Sequence, residues 1–440
     1  MTSRIALRGD LLDFTADPGF APTSEPPGLR WRPDHWLMIE DGRIINALPA
    51  ESVDTMADGG PDASWQRVDH RGRLILPGFI DTHVHSPQLD VIASHGGALL
   101  DWLERYTFPA EQRHADPAVA EAGARRFVDA LLAHGTTAAV VFPTVHKVSA
   151  EALFAAAQRR GMRLVCGKVL MDCRAPEGLR DDVAQAERDC TELIERWHGH
   201  GRLAYAVTVR FAGTSTREQL TMAGRLCVAH EGVYMQTHVA ENTDEVRWIA
   251  GLFPEARSYL DVYERHGLLH ARSVLAHGIW LDDTDRALLR ERGAQIAFCP
   301  SSNLFLGSGL FDWQAAADAG VQVSMASDVG AGTSLSMLRT LADGYKVQSL
   351  RGLRPSAWKL LHAATLGAAQ SLGLDAEIGS LQAGCIADLA VWDWAVGPLA
   401  THRDGLARDL HERAFAWMTL GDEHNLVATY VAGTSVHERA

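Results

Sequence analysis

The length, composition and charge of the chain already exclude several classes of protein. With 440 residues, the chain is long enough for an α/β barrel with a smaller unit beside it. Hydrophobic residues make up 47% and charged residues 22%, which is a globular composition and excludes a disordered chain. The net charge of −14 argues against a broad surface for nucleic acids.

The cysteines and the N-terminal segment favour a cytoplasmic protein. None of the six cysteines forms a C-x-x-C pair, which argues against a thiolate zinc site and against a disulfide framework. The first residues, MTSRIALRGDLLDF, carry charges and lack the apolar run of a signal peptide. Since no stretch of about eighteen apolar residues occurs, we expect no membrane partner.

The first predicted element is a β-hairpin. Residues 36–48 contain two strand-like runs on either side of Asp41-Gly42. An Asp-Gly pair favours a type I′ turn, because both central residues of that turn need positive φ angles. The hairpin therefore predicts a β structure near the N-terminus.

Eight buried strands follow in the middle of the chain. Each is a short apolar run rich in β-branched residues, and helix-length segments separate successive runs. The predicted strands span residues 74–81, 136–142, 164–170, 203–209, 233–238, 273–277, 295–299 and 321–327. This alternation predicts a (β/α)8 TIM-like barrel. No G-x-G-x-x-G motif follows any of the strands, which argues against a dinucleotide-binding doubly wound sheet.

Strand-like sequence returns at the C-terminal end. Residues 387–393 and 426–437 are of this kind, with a break at Gly433. Each terminal region has only ~70 residues, too few for a stable core of its own. We therefore predict an α/β protein in which both termini build one small β-sandwich domain. The predicted division is 1–72 for its N-terminal part, 73–371 for the barrel and 372–440 for its C-terminal part.

Polar side chains that could bind a metal occur at four predicted strand ends, where a parallel barrel places its active site. His83 and His85, two residues apart, point to the same side of the first strand. The other candidates are His238 and Glu241 after the fifth strand, His277 at the sixth and Asp328 at the eighth.

This set of side chains indicates a metal-dependent hydrolase. A lone histidine at a strand end is more often structural, so the prediction rests on the joint placement. Three histidines and one aspartate suit a zinc-like ion and leave a coordination position for water. Other hydrolase motifs are absent: neither His230-Glu231 nor His411-Glu412 continues into H-E-x-x-H, and no G-x-S-x-G occurs.

The motifs that contain these residues resemble the amidohydrolase superfamily. They are PGFIDTHVHSPQ (77–88), THVAEN (237–242), LAHG (275–278), SD (327–328) and GSLQAGCIADLAVWD (379–393). Other segments are similar to the guanine deaminases within that superfamily, namely SPQ (86–88), LDWLERYTFP (100–109), RF (210–211), FCPSSNLFLGSGLFDW (298–313) and LGDEHNLVATYVAG (420–433).

The resemblance implies one divalent ion per chain, zinc or, alternatively, iron(II). Members with two metals use a carbamylated lysine at the end of the fourth strand, and residues 203–209 contain no lysine. Lys168, on the third predicted strand, is left as a minor alternative ligand. On the family pattern the metal ligands are His83, His85, His238 and Asp328.

The resemblance also implies hydrolysis of guanine to xanthine and ammonia by a metal-bound hydroxide. Asp328 would accept the proton of the attacking water, Glu241 would carry a proton to ring atom N3, and His277 would stabilise the tetrahedral state. Guanine O6 suits the guanidinium of Arg210, and Phe211 would pack on the purine ring. The implied substrate-binding residues are His85, Gln88, Arg210, Phe211, His238, Glu241 and Asp328.

Structural interpretations of these residues stay open. Glu241 could cap the following helix, Arg210 could form a surface ion pair and Gln88 could shape a loop. Val209, Gly213 and Cys173 depart from the family pattern, which puts the rigidity of the surrounding loops in question.

Two other functions also stay open. A deaminase or chlorohydrolase of 8-oxoguanine, ammeline or an s-triazine would keep the metal site but lose the Gln88 and Arg210-Phe211 groups. A non-catalytic interaction protein would have lost metal ligands or Glu241. The family resemblance further implies a homodimer that acts in purine catabolism.

Overall fold

The structure is a computed structural model that describes residues 3–55, 65–95 and 99–439. Its strands are β1 Arg4–Phe14, β2 Leu29–Glu40, β3 Arg43–Pro49, β4 Gln66–Pro77, β5 Phe79–His85, β6 Thr136–Phe142, β7 Arg163–Cys166, β8 Val169–Leu170, β9 Leu203–Val209, β10 Tyr234–Val239, β11 Ser273–His277, β12 Gln295–Phe298, β13 Val323–Met325, β14 Leu389–Trp392, β15 Leu426–Val431 and β16 Thr434–Glu438.

The α-helices are α1 Ala50–Thr55, α2 Leu99–Trp102, α3 Phe108–Gln112, α4 Pro117–Leu132, α5 Lys147–Arg160, α6 Val183–Trp197, α7 Arg217–Ala229, α8 Thr243–Leu252, α9 Tyr259–Arg265, α10 Asp283–Arg292, α11 Pro300–Phe305, α12 Trp313–Asp318, α13 Met337–Leu350, α14 Ala357–Ala363, α15 Leu366–Ser371, α16 Pro398–Asp404 and α17 Leu410–Leu420. Most α-helices accompany the barrel strands, whereas α1 contacts β2 and β3 of the terminal sheet. Across the described ranges, no helix combines the length and the apolar character needed to cross a membrane.

Eight parallel strands form the predicted barrel. Their order is β5, β6, β7, β9, β10, β11, β12, β13, and the short β8 pairs with β9. Backbone hydrogen bonds join the first and last strands: the Asp328 N–H donates to the His83 carbonyl (2.9 Å) and the His85 N–H donates to the Val329 carbonyl (2.8 Å). The third predicted strand, 164–170, is interrupted and supplies both β7 and β8. The prediction of a TIM-like barrel is confirmed.

Burial on both faces explains why the barrel strands are continuous apolar runs. Every residue of β6 (TTAAVVF) and of β9 (LAYAVTV) is buried. Side chains alternate between the barrel interior and the helix layer, and both places exclude water. The helices instead bury one face; in α6 the buried positions recur at helical spacing, at Ala186, Cys190, Leu193, Ile194 and Trp197.

The prediction of one continuous strand over residues 74–81 is wrong, because these residues belong to two strands. Residues up to Pro77 belong to β4, which pairs with β1 and β14 in the other sheet, and the barrel begins only at Phe79. Gly78 lies between the two strands, where an added Cβ would be 2.2 Å from Thr137 Oγ1. Both strands are buried at this point, so the apolar pattern gives no sign of the change of sheet. The three-segment division remains a prediction, although the pairing of β4 carries the small sheet to Pro77.

Both termini contribute to one seven-stranded sheet with the order β16, β15, β14, β4, β1, β2, β3. The predicted type I′ turn is confirmed, since φ is +47° at Asp41 and +78° at Gly42. The sheet folds over on itself, because the Ala387 N–H donates to the Gly42 carbonyl and the Ile44 N–H to the Cys385 carbonyl. The predicted small domain is therefore one curved sheet whose two ends meet around an apolar core.

Candidate active site

The carboxyl ends of three barrel strands bring together four side chains that could bind a metal ion. His83 and His85 come from β5, His238 from β10, and Asp328 follows β13. The Nε2 atom of His85 is 3.2 Å from that of His83 and 3.1 Å from that of His238. Asp328 Oδ1 lies 3.2 Å from His83 Nε2 and 3.3 Å from His85 Nε2. All four ligand atoms lie within 4.8 Å of one another.

These four side chains fit a divalent metal ion. Ligand atoms ~2.1 Å from a tetrahedral ion are ~3.4 Å apart, close to the distances between the imidazole nitrogens. The Nδ1 atom of His238 lies 2.6 Å from the Arg210 carbonyl oxygen, so that nitrogen carries the proton and Nε2 presents a lone pair to the cluster. Burial lowers the pKa of His85 to about 3 and that of His238 well below its usual range, which keeps both rings neutral. Neutral imidazoles and one carboxylate are the donors that zinc-like ions prefer.

Glu241 lies beside the cluster with its carboxyl group directed at the pocket rather than at a helix end. Its Oε1 accepts a hydrogen bond from the Ser308 hydroxyl (2.8 Å), and its Oε2 is 3.4 Å from His277 Nε2. Asn242 and Glu245 form the capping box of α8. Burial, assisted by the charge of Asp328, raises the pKa of Glu241 to about 8. The capping interpretation of Glu241 is therefore wrong, and the carboxyl is suited to carry a proton at neutral pH.

His277 and Asp328 occupy strained backbone positions at their strand ends. Their φ angles are +71° and +50°, in the left-handed region that residues other than glycine seldom adopt. The His277 Nδ1 atom is held by Asn303 Oδ1 at 2.8 Å, which leaves Nε2 facing Glu241 and Asp328. Such strain is found where a fold must aim a side chain into a site.

Arg210 and Gln88, which also line the pocket, meet at a buried carboxylate. The guanidinium of Arg210 donates through Nη1 to both Glu111 oxygens, at 2.8 and 2.7 Å. The Gln88 amide donates to Glu111 Oε1 at 3.3 Å and accepts from the Gly330 N–H at 3.3 Å. Arg210 is 3% exposed, so the surface ion-pair interpretation is wrong: its partner is buried as well.

One pocket is lined by residues from both groups of side chains. Phe211 lines it and packs against Trp248, with the ring centroids 5.9 Å apart. The lining residues are His85, Gln88, Leu99, Trp102, Leu103, Arg210, Phe211, His238, Glu241, Glu245, His277, Leu306, Asp328 and Ala331. Both polar and apolar side chains line the pocket, as expected of a site for a small aromatic ring.

The structure brings together every site residue that the sequence indicated. His83 lies behind the pocket wall at the metal cluster, and the other predicted residues line the pocket. Lys168, the alternative ligand, is instead paired with Asp181. Sequence reasoning missed Glu111, Asn303 and Ser308. The motif 298–313 contains the last two, but no spacing rule connects them with His277 or Glu241.

Comparison with known proteins identifies the family of the chain. A family model described as "Amidohydrolase family" matches residues 74–436. Guanine deaminase of Escherichia coli (strain K12) is 43% identical over 437 residues, which cover 99% of this chain and 98% of the relative. Guanine deaminase of Mus musculus is 33% identical over 421 residues, which cover 92% of each chain.

Solved structures show the similarity over the whole length. The E. coli guanine deaminase structure has a TM-score of 0.93 at 42% identity and covers 100% of both chains. Guanine deaminase from C. acetobutylicum, solved with guanine bound in its active site, has a TM-score of 0.87 at 25% identity and covers 99% of this chain and 100% of that one. The terminal sheet and the barrel are therefore both shared with these relatives.

Proposed function

The chain belongs to the amidohydrolase family and, within it, to the guanine deaminases, and we propose that it hydrolyses guanine to xanthine and ammonia. The observation that carries the proposal is the lining of one pocket. Side chains of the metal-binding cluster line it together with Glu241 and Arg210. A purine bound there would present its 2-amino carbon to the cluster and O6 to Arg210.

We assign the metal ligands as His83, His85, His238 and Asp328. The donor set favours zinc, with iron(II) as the alternative. When bound there, such an ion lowers the pKa of water so that hydroxide is available at neutral pH. The hydrogen bond from His238 Nδ1 to the Arg210 carbonyl fixes the tautomer that binding requires.

The proton transfers fall to Asp328 and Glu241. Asp328 accepts a proton from the attacking water, whose oxygen forms a bond to C2 of guanine. Glu241 donates its proton to N3, and His277 Nε2 hydrogen-bonds to the tetrahedral state. Glu241 then takes the proton of the new hydroxyl group, Asp328 gives its proton to the amino group, and the C–N bond breaks to release ammonia. The two carboxyl groups return to their starting forms.

Guanine binding is assigned to groups outside the metal cluster. Arg210 donates to O6, and the amide of Gln88 faces the polar edge of the base. Phe211, buried in the pocket wall, packs on the ring. His85, His238, Glu241 and Asp328 surround the carbon that reacts.

The test is ammonia release from guanine, 8-oxoguanine, ammeline and adenine, with metal content measured on the same preparation. We expect about one divalent ion per chain and a strong preference for guanine. A preference for another ring would retain the metal chemistry and overturn the assignments of Arg210 and Gln88. Failure on all four rings despite bound metal would overturn the proposed function.

Assembly and location are proposed on the resemblance alone. Guanine removal is a step of purine catabolism, and we propose that the chain performs it as a cytoplasmic homodimer. Sedimentation equilibrium and cell fractionation test the two statements separately.

A further inference from the structure

Glu111 is a buried charge that the assigned chemistry does not use. Its side chain has no exposed surface, although an isolated carboxylate is costly to bury. It lies on α3, outside the barrel strands, and reaches residues from two different strand ends. The cost of burial is offset only if its partners neutralise and hydrogen-bond it.

The contacts of Glu111 connect two groups assigned to the substrate. Arg210 gives Nη1 to both carboxylate oxygens, and Gln88 gives its amide N–H to one of them. The α3 helix also places the Phe108 ring under the guanidinium, with the ring centroid 5.4 Å from Arg210 Cζ. Because Glu111 binds its edge and Phe108 packs on its face, the Arg210 guanidinium has little freedom to rotate.

The amide of Gln88 is oriented by the same network. Its oxygen accepts from the Gly330 N–H, and its nitrogen donates to Glu111, so the two amide ends cannot exchange places without losing both bonds. The Gly330 backbone can approach Gln88 because glycine has no side chain: a Cβ at this position would lie 2.4 Å from the Gln88 carbonyl oxygen. Residues after β5, β9 and β13 are thereby joined through one carboxylate on α3.

We propose that Glu111 is a positioning residue that aligns Arg210 and Gln88 for the 6-oxo edge of the substrate. It also neutralises the guanidinium, so that the pocket offers a fixed hydrogen-bond donor to a neutral carbonyl instead of a free cation to an anion. This inference rests on the proposed function, because it concerns binding of guanine.

The first test is the E111Q variant, which keeps the shape of the side chain and removes its charge. We expect KM for guanine to rise about tenfold or more with kcat changed less than about threefold, because the lost alignment affects binding of the base. The inhibition constant of hypoxanthine, which has O6 but no 2-amino group, should rise in parallel. E104Q is the control, since Glu104 is an exposed carboxylate that precedes α3 in the chain.

The second test pairs E111Q with R210Q. If Glu111 acts through Arg210, the double variant should have a KM within about threefold of R210Q alone. This comparison also serves if E111Q by itself does not fold, because the double variant leaves no unpaired buried charge.

Two results would overturn the inference: an unchanged KM in E111Q, whether or not kcat falls, or losses that multiply in the double variant. A wild-type enzyme that releases no ammonia from guanine would instead overturn the proposed function. The two failures are therefore distinguishable.

Discussion

Glu241 has its proposed role because of where its carboxyl group is buried. The Ser308 hydroxyl and the His277 ring hold it beside the metal cluster. We expect E241Q to bind metal normally and to lose ~10²–10⁴-fold in turnover, because an amide cannot carry the proton. The control is D244N, which removes an exposed carboxylate three residues away. Turnover within tenfold of the wild type would remove Glu241 from the proton transfer.

The raised pKa of Glu241 also predicts the pH dependence. Burial, followed by the charge of Asp328, raises that pKa to about 8. Since the protonated form is the donor, kcat/KM should fall as the pH rises through about 8, and the residual activity of E241Q should lack this decrease. Initial rates across that range are the measurement. A profile without a decrease near pH 8 would contradict the assignment.

Arg210 is expected to act on O6 of the substrate. The R210A variant should lose ~10–100-fold in kcat/KM on guanine, the range for a hydrogen bond to a charged group. Binding of 2-aminopurine, which lacks O6, should change far less when it is measured as competition with guanine. Equal losses for the two purines would show that Arg210 supports the pocket without recognising the oxygen.

At the scale of the elements, the β2–β3 turn supports the small domain through Gly42. Its φ of +78° favours glycine, and an added Cβ would lie 2.8 Å from the Ala432 carbonyl oxygen. We expect G42A to lower the free energy of unfolding by about 2–3 kcal/mol, from the backbone conformation and the close contact together.

Gly72 gives a matched control for this turn. It has nearly the same φ, +75°, but no atom within 4 Å of an added Cβ. G72A should therefore cost only the conformational part, about 1 kcal/mol. Urea unfolding followed by circular dichroism measures both variants, and equal losses would show that the contact with Ala432 contributes nothing.

At the scale of the whole molecule, the proposed metal cluster joins the first and last strands of the barrel. Its ligands come from the first, fifth and last barrel strands, β5, β10 and β13. We expect chelation to abolish activity and to lower the melting temperature, because an ion bound only by the native state stabilises that state. One equivalent of zinc should restore both. The H83A variant is the control, and its melting temperature should not respond to the chelator.

Much of this molecule follows from local sequence pattern. The alternation of apolar runs with helical segments predicts the barrel, because strands buried on both faces need uninterrupted apolar residues. The Asp41-Gly42 pair predicts its turn, because the φ requirement concerns only those two residues. His83, His85, His238, His277 and Asp328 could be found by reading the strand ends, where a parallel barrel collects its functional groups.

Other features exist only in the folded chain. The change of sheet between Pro77 and Phe79 leaves no trace in the apolar pattern, because both strands are buried. Glu111 is 99 residues from Arg210, and nothing local distinguishes it from a surface carboxylate until α3 is placed over the pocket. The sequence alone determined the barrel, through its apolar runs, and the candidate metal ligands, through the residues at the strand ends. Tertiary structure decided the polar network of Glu111, Arg210 and Gln88, because its partners meet only when distant segments pack.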